Sequence, residues 1–397
     1  MLSPRIQRIL LNPRLVLGLY VVLTIVVSFQ HYFKGQFSYH NYRTFVDPFF
    51  LLLKGQTLYQ PMPDNFNEIY KYSPAFALFM APFAVLPDWL GLLLWNALNN
   101  VVFYTAARRL FPDVRRQLLF LLLCLIDMMT ALHNSQANCL LVGLMLWTYI
   151  NLENEKYSWA GLCVALAALI KIYGIGIGLI FLFYPQPIRN GAVAFAWLAL
   201  LAFTPLLVVS WPNFRMIYQD WLAVVRESAT GIQLSLMGVL ESWFGVAPTA
   251  KGVVQAIGML LLLAPLVWFR FWREADYRRL YVASILIFVV IFNQMAESPT
   301  FIIAVAGFMF WFIWYGRGTR LGWALFALVL IFTTLSATDL NPPALRHAYF
   351  DVYKLKAVPM ILAWAVIQAQ LLLYPRWRAR LQAAAAESAQ LAPTEIA

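Results

Sequence analysis

The chain has 397 residues, of which 62% are hydrophobic and only 12% charged, with a mean hydropathy of +0.69 and a formal net charge of +11. Soluble globular domains carry roughly a quarter charged residues, so these values exclude an ordinary soluble domain and point to a polytopic membrane protein. The basic excess sits in small clusters between apolar runs and forms no tract, which excludes a nucleic-acid-binding arm and fits membrane orientation instead.

Three arginines, Arg5, Arg8 and Arg14, precede an apolar run from Leu15 to Val27. The run exits through Phe29-Gln30-His31-Tyr32 with no small-residue cleavage pattern, so it is expected to stay as a first span. Further runs near the ~20 residues that cross a bilayer fall at about 89–109, 116–132, 137–153, 157–170, 174–186, 188–209, 250–270, 279–294, 299–315, 320–337 and 356–374. With the first span at about 14–33 they predict an all-α fold with about 12 transmembrane helices plus outer-face amphipathic helices. One transmembrane domain would cover 1–375, with 376–397 as a cytoplasmic tail. Cys124, Cys139 and Cys163 all lie inside apolar runs, where buried thiols are expected and no disulfide framework follows.

Between the first two spans lies a polar interval from Gln36, ending in an apolar stretch, Ser73 to Pro87, that is too short and too proline-rich to be an obvious span. Its reading sets the orientation of everything after it. If it does not cross, 18 of the 29 Lys and Arg fall on one side in short loops, among them the Arg108–Arg116 and Arg270–Arg279 clusters. If it crosses, those clusters face away from the N-terminal arginines, against the positive-inside rule. The stretch is therefore read as lying at the outer surface, with both termini cytoplasmic. The polar segments 34–72, His133–Asn138, Lys171–Gly174, Trp211–Glu241, Asn293–Ser298 and Thr338–Lys356 then all reach the outer face. Within one of them, Phe214, Ile217, Trp221, Leu222 and Val225 repeat at helical spacing and predict an amphipathic helix lying on the membrane.

The outer face carries the chemistry. His40, Asn41, Tyr42, Arg43, Asp47, Lys54, Asp64, Glu68 and Lys71 stand among aromatic residues, a mixture suited to a phosphorylated sugar: carboxylates for proton transfer, cations for phosphate, rings for a pyranose. Lys71, Arg346, His347, Lys354 and Lys356 are cations on the side that positive-inside disfavours; lipid phosphate binding competes here with headgroup snorkelling. Glu297 lies in a short link between two apolar runs, where it either acts chemically or caps the helix after Pro299. Asp127 lies inside an apolar run, Lys171 ends another, and Asn96, Asn99 and Asn100 share a helix face suited to interhelical bonding. There is no P-loop, no GxGxxG after a strand, no HExxH and no metal-ligand spacing.

Leu52-Leu53-Lys54-Gly55-Gln56-Thr57-Leu58-Tyr59, Tyr70-Lys71-Tyr72-Ser73-Pro74-Ala75-Phe76-Ala77-Leu78, Ala84-Val85-Leu86-Pro87 and Trp95-Asn96 resemble glycosyltransferase family 87 of the GT-C superfamily. So do Gln136-Ala137-Asn138, Gly161 to Tyr173, and Leu234 to Gly238. The resemblance implies an inverting membrane transferase that moves a mannose-like sugar from a polyprenyl-phosphate carrier to a lipid or glycan acceptor outside the cytoplasmic membrane. It implies no nucleotide sugar and no cofactor. Family members carry a catalytic aspartate about eighteen residues before the Leu-Tyr pair, and the residue there is Asn41, whose amide cannot take a proton. Asp47 or Glu297 is then the expected base. Arg346, Lys71 and Lys171 are expected to hold the departing phosphate, with His347 beside Arg346. Tyr42, Tyr70 and Tyr72 would bound the sugar, and Gln136 and Asn138 would complete the substrate contacts. The alternatives are a transporter or lipid flippase, or an inactive family member marked by Asn41.

Overall fold

A computed structural model describes residues 11–62, 67–228, 233–338 and 342–390; Arg5, Arg8, Asp64 and residues 391–397 lie outside the described residues. Within lipid a backbone must satisfy its own polar groups, which favours helices. The described residues are helical accordingly, with one isolated antiparallel bridge, Met62 to Glu68, as their only β pairing.

Among the described residues, five helical stretches are long and apolar enough to cross a membrane: Pro13–Lys34, Asp88–Leu110, Val114–His133, Pro187–Leu207 and Pro248–Phe271. A sixth is added if Val358–Leu372 and Tyr374–Ala383, bent by 89°, count as one span. The other runs that hydropathy marks form shorter elements. Asn138–Glu153 has 16 residues, Tyr157–Ile170 has 14, Ala275–Ile291 has 17 and Phe301–Trp314 has 14. At 1.5 Å per residue a helix of the shortest length reaches about 21 Å, less than the ~30 Å of a bilayer core. Helices 138–153, 275–291 and 301–314 are buried along nearly their whole length and form the centre of the bundle. Being apolar all round, they are interior helices by pattern.

The bundle has two chemically different ends. At one, Arg278 pairs with Glu153 at 2.6 Å, Arg279 with Asp276 at 2.9 Å and Arg378 with Glu274 at 2.9 Å. The guanidinium groups of Arg116 and Arg279 both lie over the Trp314 ring. These arginines belong to the set that the charge count assigns to a single side. At the opposite end stand the polar turns around His133, Lys171 and Glu297. Ser73 to Pro87 lies there too, as two short helices, Pro74–Phe79 and Ala81–Ala84, broken at Met80. Ser73 caps the first by accepting from the Phe76 N–H at 3.2 Å, and its hydroxyl donates to the Leu169 carbonyl. Past the second, Asp88 pairs with Arg43 at 3.1 Å and accepts from Tyr39. Both flanks of the segment thus stay at one end of the bundle.

Asparagines on helix Asp88–Leu110 tie the first helices together. Asn96 donates to the Ser28 hydroxyl at 3.0 Å and Asn100 to the Tyr20 carbonyl at 3.0 Å, while Asn99 accepts from the Leu140 N–H at 2.9 Å. That last bond satisfies an orphan donor in the first turn of helix Asn138–Glu153 and fixes how this helix leaves the polar end.

Candidate functional site

The polar end is organised by two breaks in helical structure. Helix Val114–His133 stops in a turn where Ser135 takes a left-handed conformation, φ +48°. The Trp95 indole N–H holds that turn by donating to the Ser135 carbonyl at 2.8 Å. The turn delivers Gln136 and Asn138. Helix Tyr157–Ile170 stops at Lys171, which is extended before the 3-10 segment Ile172–Phe183 packs back on the helix. A Cβ at Gly174 would stand 2.6 Å from the Ala167 carbonyl oxygen, so the close return needs glycine there.

The two breaks meet through side chains. The Lys171 ammonium donates to Asn138 Oδ1 at 2.8 Å and to Gln136 Oε1 at 3.3 Å. The Gln136 amide donates to Glu297 Oε2 at 3.0 Å. Glu297 comes from the link between helices Ala275–Ile291 and Phe301–Trp314, which Pro299 starts anew. The link is held in place by backbone bonds from Gln233 to Gln294 at 2.8 Å and from Leu234 to Ala296 at 3.0 Å.

Gln136, Lys171 and Glu297 line a cavity of about 300 Å³, together with Lys71, Tyr72 and Tyr173. Helix Trp211–Ser228 lies over it: Trp221 and Val225 line the cavity, and the Trp221 indole donates to the Lys71 carbonyl at 3.3 Å. The Lys171 ammonium stands 5.9 Å from the Tyr72 ring centre and 6.0 Å from that of Tyr173, within cation–π range. Desolvation pulls this ammonium down to about 8, while the negative charge of Glu297 acts in the opposite sense. Burial, and then Glu297, push the Tyr72 hydroxyl well above its ordinary value, so it stays a neutral donor. The arrangement offers a carboxylate as proton acceptor and an ammonium for an anion, joined through one amide, beside aromatic faces.

An apolar groove of about 390 Å³, lined by Phe76, Leu98, Leu144, Leu166 and Leu207, adjoins this cavity: Ile170 lines both. A separate polar cavity of about 360 Å³ lies across the Glu297 link. Glu297 and Thr300 line the first cavity, whereas Ser298 and Pro299 line the second, with Arg346, His347 and Lys356. His347 there pairs with Asp351 at 2.8 Å.

Of the residues singled out from sequence, Lys71, Tyr72, Gln136, Lys171 and Glu297 share the first cavity, and Asn138 is bonded to it through Lys171. Arg346 and His347 do not join them, which corrects the expectation of a single phosphate held by Arg346, Lys71 and Lys171 together. Asp47 lines neither cavity and forms an ion pair with Arg43 at 2.9 Å. Asn41 donates to the Asn134 carbonyl at 2.9 Å, tying helix His40–Leu53 to the turn that carries Gln136. Tyr42 is also placed otherwise than expected: it is fully buried, its hydroxyl donates to the Phe83 carbonyl at 3.0 Å, and it lines neither cavity. Asp127 accepts from the Thr334 hydroxyl at 2.9 Å. Sequence reasoning missed Tyr173 and Trp221. The signal for Trp221 was present as an apolar helix face, but that face was assigned to lipid.

The family model for glycosyltransferase family 87 matches residues 70–299, more than half of the chain. The match contains Lys71, Tyr72, Gln136, Lys171 and Glu297 and stops short of Arg346. No curated protein matches the chain.

Proposed function

We propose, from the premise that the chain belongs to glycosyltransferase family 87 and is a membrane glycosyltransferase, that it transfers a mannose-like sugar from a polyprenyl-phosphate donor. The acceptor is a lipid or glycan at the outer face of the cytoplasmic membrane. In this reading the fold is GT-C-like and the shorter interior helices complete about 12 crossings, leaving both termini cytoplasmic. Residues 1–375 form the transmembrane domain and 376–397 the tail.

The observation that carries the reading is the chain of bonds from Glu297 through Gln136 to Lys171, set in a cavity contiguous with an apolar groove. Glu297 takes the proton of the acceptor hydroxyl, whose oxygen attacks the sugar C1. The bond from C1 to the phosphate oxygen breaks, and the leaving phosphate keeps the electron pair. Lys171, with Lys71 at the cavity wall, stabilises that charge. Tyr72 and Trp221 face the sugar, and the isoprenoid tail lies in the groove bounded by Ile170. Asn41 is then a positioning residue, and the base arrives from a different loop.

The test is sugar transfer by the purified, reconstituted protein with labelled polyprenyl-phosphate mannose. Glu297→Gln should lose about 10²-fold or more, the range of general-base contributions, while Asp47→Asn retains turnover. Full activity in a Glu297→Gln/Asp47→Asn double variant overturns the base assignment. Movement of labelled lipid across vesicles without transfer would favour a flippase, and neither activity would favour an inactive member.

A further inference from the structure

At the basic end of the bundle lies a groove that the transfer site does not use. Helix Val358–Leu372 turns there by 89° into the stretch Tyr374–Ala383. Between the two and Leu321 of helix Arg320–Leu328 is a cavity of about 380 Å³. Its wall is apolar where Leu321, Val366, Ala369 and Leu373 line it and basic where Arg376 and Arg380 do, and no carboxylate of the described residues joins them. Leu321 and Leu373 are both half-exposed, so the apolar side opens outward. The bend itself is held by other groups. Trp377 packs edge-on against Tyr315 with ring centres 5.2 Å apart, the Tyr374 hydroxyl donates to Glu274 at 2.9 Å, and Arg378 pairs with the same carboxylate at 2.9 Å. Arg376 and Arg380 stand at i and i+4 and share one helix face, from which Arg378, two residues from each, points away. Among the described residues neither of their guanidinium groups has an ion pair or a hydrogen bond. Like charges at that spacing repel. Arg376 also lies in the first turn of its helix, where the dipole disfavours a cation and favours an anion. Three positive contributions thus meet at one edge of an apolar groove, and nothing in the described chain offsets them.

We propose that this groove binds an anionic phospholipid from the leaflet at the basic end, with its phosphate between Arg376 and Arg380 and one acyl chain along Leu321, Val366 and Leu373. The site is independent of sugar transfer and of the transferase reading. Charge and shape both select the occupant. A zwitterionic headgroup brings its own ammonium against the two arginines, and a soluble anion leaves the apolar wall uncovered. Guanidinium groups bind phosphate oxygens in bidentate fashion, and Trp377 at the corner fits the level of the membrane interface, where tryptophan collects. A lipid held there braces the corner between the two helices, so its removal lowers stability.

Native mass spectrometry of the full-length protein, released from nanodiscs of phosphatidylcholine mixed with phosphatidylglycerol, counts the lipids that stay bound. A phosphatidylglycerol should be retained in preference to phosphatidylcholine and lost in Arg376→Gln/Arg380→Gln. It should be kept in Arg109→Gln/Arg189→Gln, which removes equal charge outside the groove. Equal loss in both double variants would reduce the effect to surface charge and overturn the site, as would equal retention of phosphatidylcholine. Ala369→Trp fills the apolar wall and leaves both arginines in place, so it supplies the comparison should the arginine variant fail to fold. Undiminished retention in Ala369→Trp overturns the lipid assignment, and so does a second copy of the chain retained in place of lipid. Thermal unfolding in nanodiscs with and without phosphatidylglycerol gives the matching readout. The midpoint should be higher with the anionic lipid, by a margin that is absent in Arg376→Gln/Arg380→Gln and shrinks as salt is added. Inorganic phosphate raising the midpoint equally in detergent would mean that the anion alone suffices, which overturns the lipid.

Discussion

Lys171 and Tyr42 show how far a single side chain's role depends on what it is bonded to. Lys171 keeps its ammonium below about 8 and loses it above. If that charge stabilises the leaving phosphate, kcat should fall as pH rises through this value. Lys171→Arg should move the falling limb out of range, because a guanidinium loses its proton only above ~12. Stability should respond in the opposite sense. The folded-state value lies below the ordinary 10.5, so between about 8 and 10.5 the unfolded chain binds more protons and stability rises with pH. A rate and a stability that move together across this window would argue against Lys171 as the group observed. Tyr42 makes the contrasting case. Tyr42→Phe removes the hydroxyl bond to the Phe83 carbonyl, which should cost about 1 kcal/mol of stability while transfer is kept. Thermal unfolding and the transfer assay on the same sample check both halves.

At the scale of elements, the polar breaks were legible because polar groups at membrane depth are costly and therefore conspicuous. Gln136, Lys171 and Glu297 each stand out against an apolar run, and each does reach the first cavity. Their grouping was not legible to the same degree. Topology assigns a loop to a side of the membrane, not to a position within its plane, so Arg346 and Lys171 looked like partners until packing separated them. Helix Trp211–Ser228 was hidden differently. An apolar stripe reads the same whether it faces lipid or a cavity, and only the bond from Trp221 to the Lys71 carbonyl shows which it is. Trp221→Ala should open the roof of the cavity and remove one aromatic wall. The expected effect is a KM for the donor raised several-fold, with a smaller change in kcat, measured by steady-state transfer. An unchanged KM would return the helix to a purely membrane-lying role.

At the scale of the whole molecule, hydropathy identified the class but overcounted helices of spanning length, since a short interior helix is as apolar as a spanning one. Orientation rests on a different quantity, the lateral charge bias, and on one segment. Helices Pro74–Phe79 and Ala81–Ala84 together offer ten residues, about 15 Å at 1.5 Å per residue, half of what a crossing needs. Their flanks are tied to Leu169 on one side and to Arg43 on the other, both at the polar end. Gln56 and Leu86 should therefore lie on the same side of the membrane, and Asp113, beyond helix Asp88–Leu110, on the opposite side. Single cysteines at these three positions, in a chain whose native Cys124, Cys139 and Cys163 are replaced by alanine, can be labelled in intact cells with a membrane-impermeant thiol reagent. Gln56→Cys and Leu86→Cys should react from outside, and Asp113→Cys only after the membrane is opened. External labelling of Asp113→Cys would mean that the segment crosses, which would put the Arg108–Arg116 cluster outside and move Glu297 to the cytoplasmic side. A polyprenyl-linked donor at the outer face could then no longer reach Glu297, so this one measurement bears on the reaction as directly as on the fold.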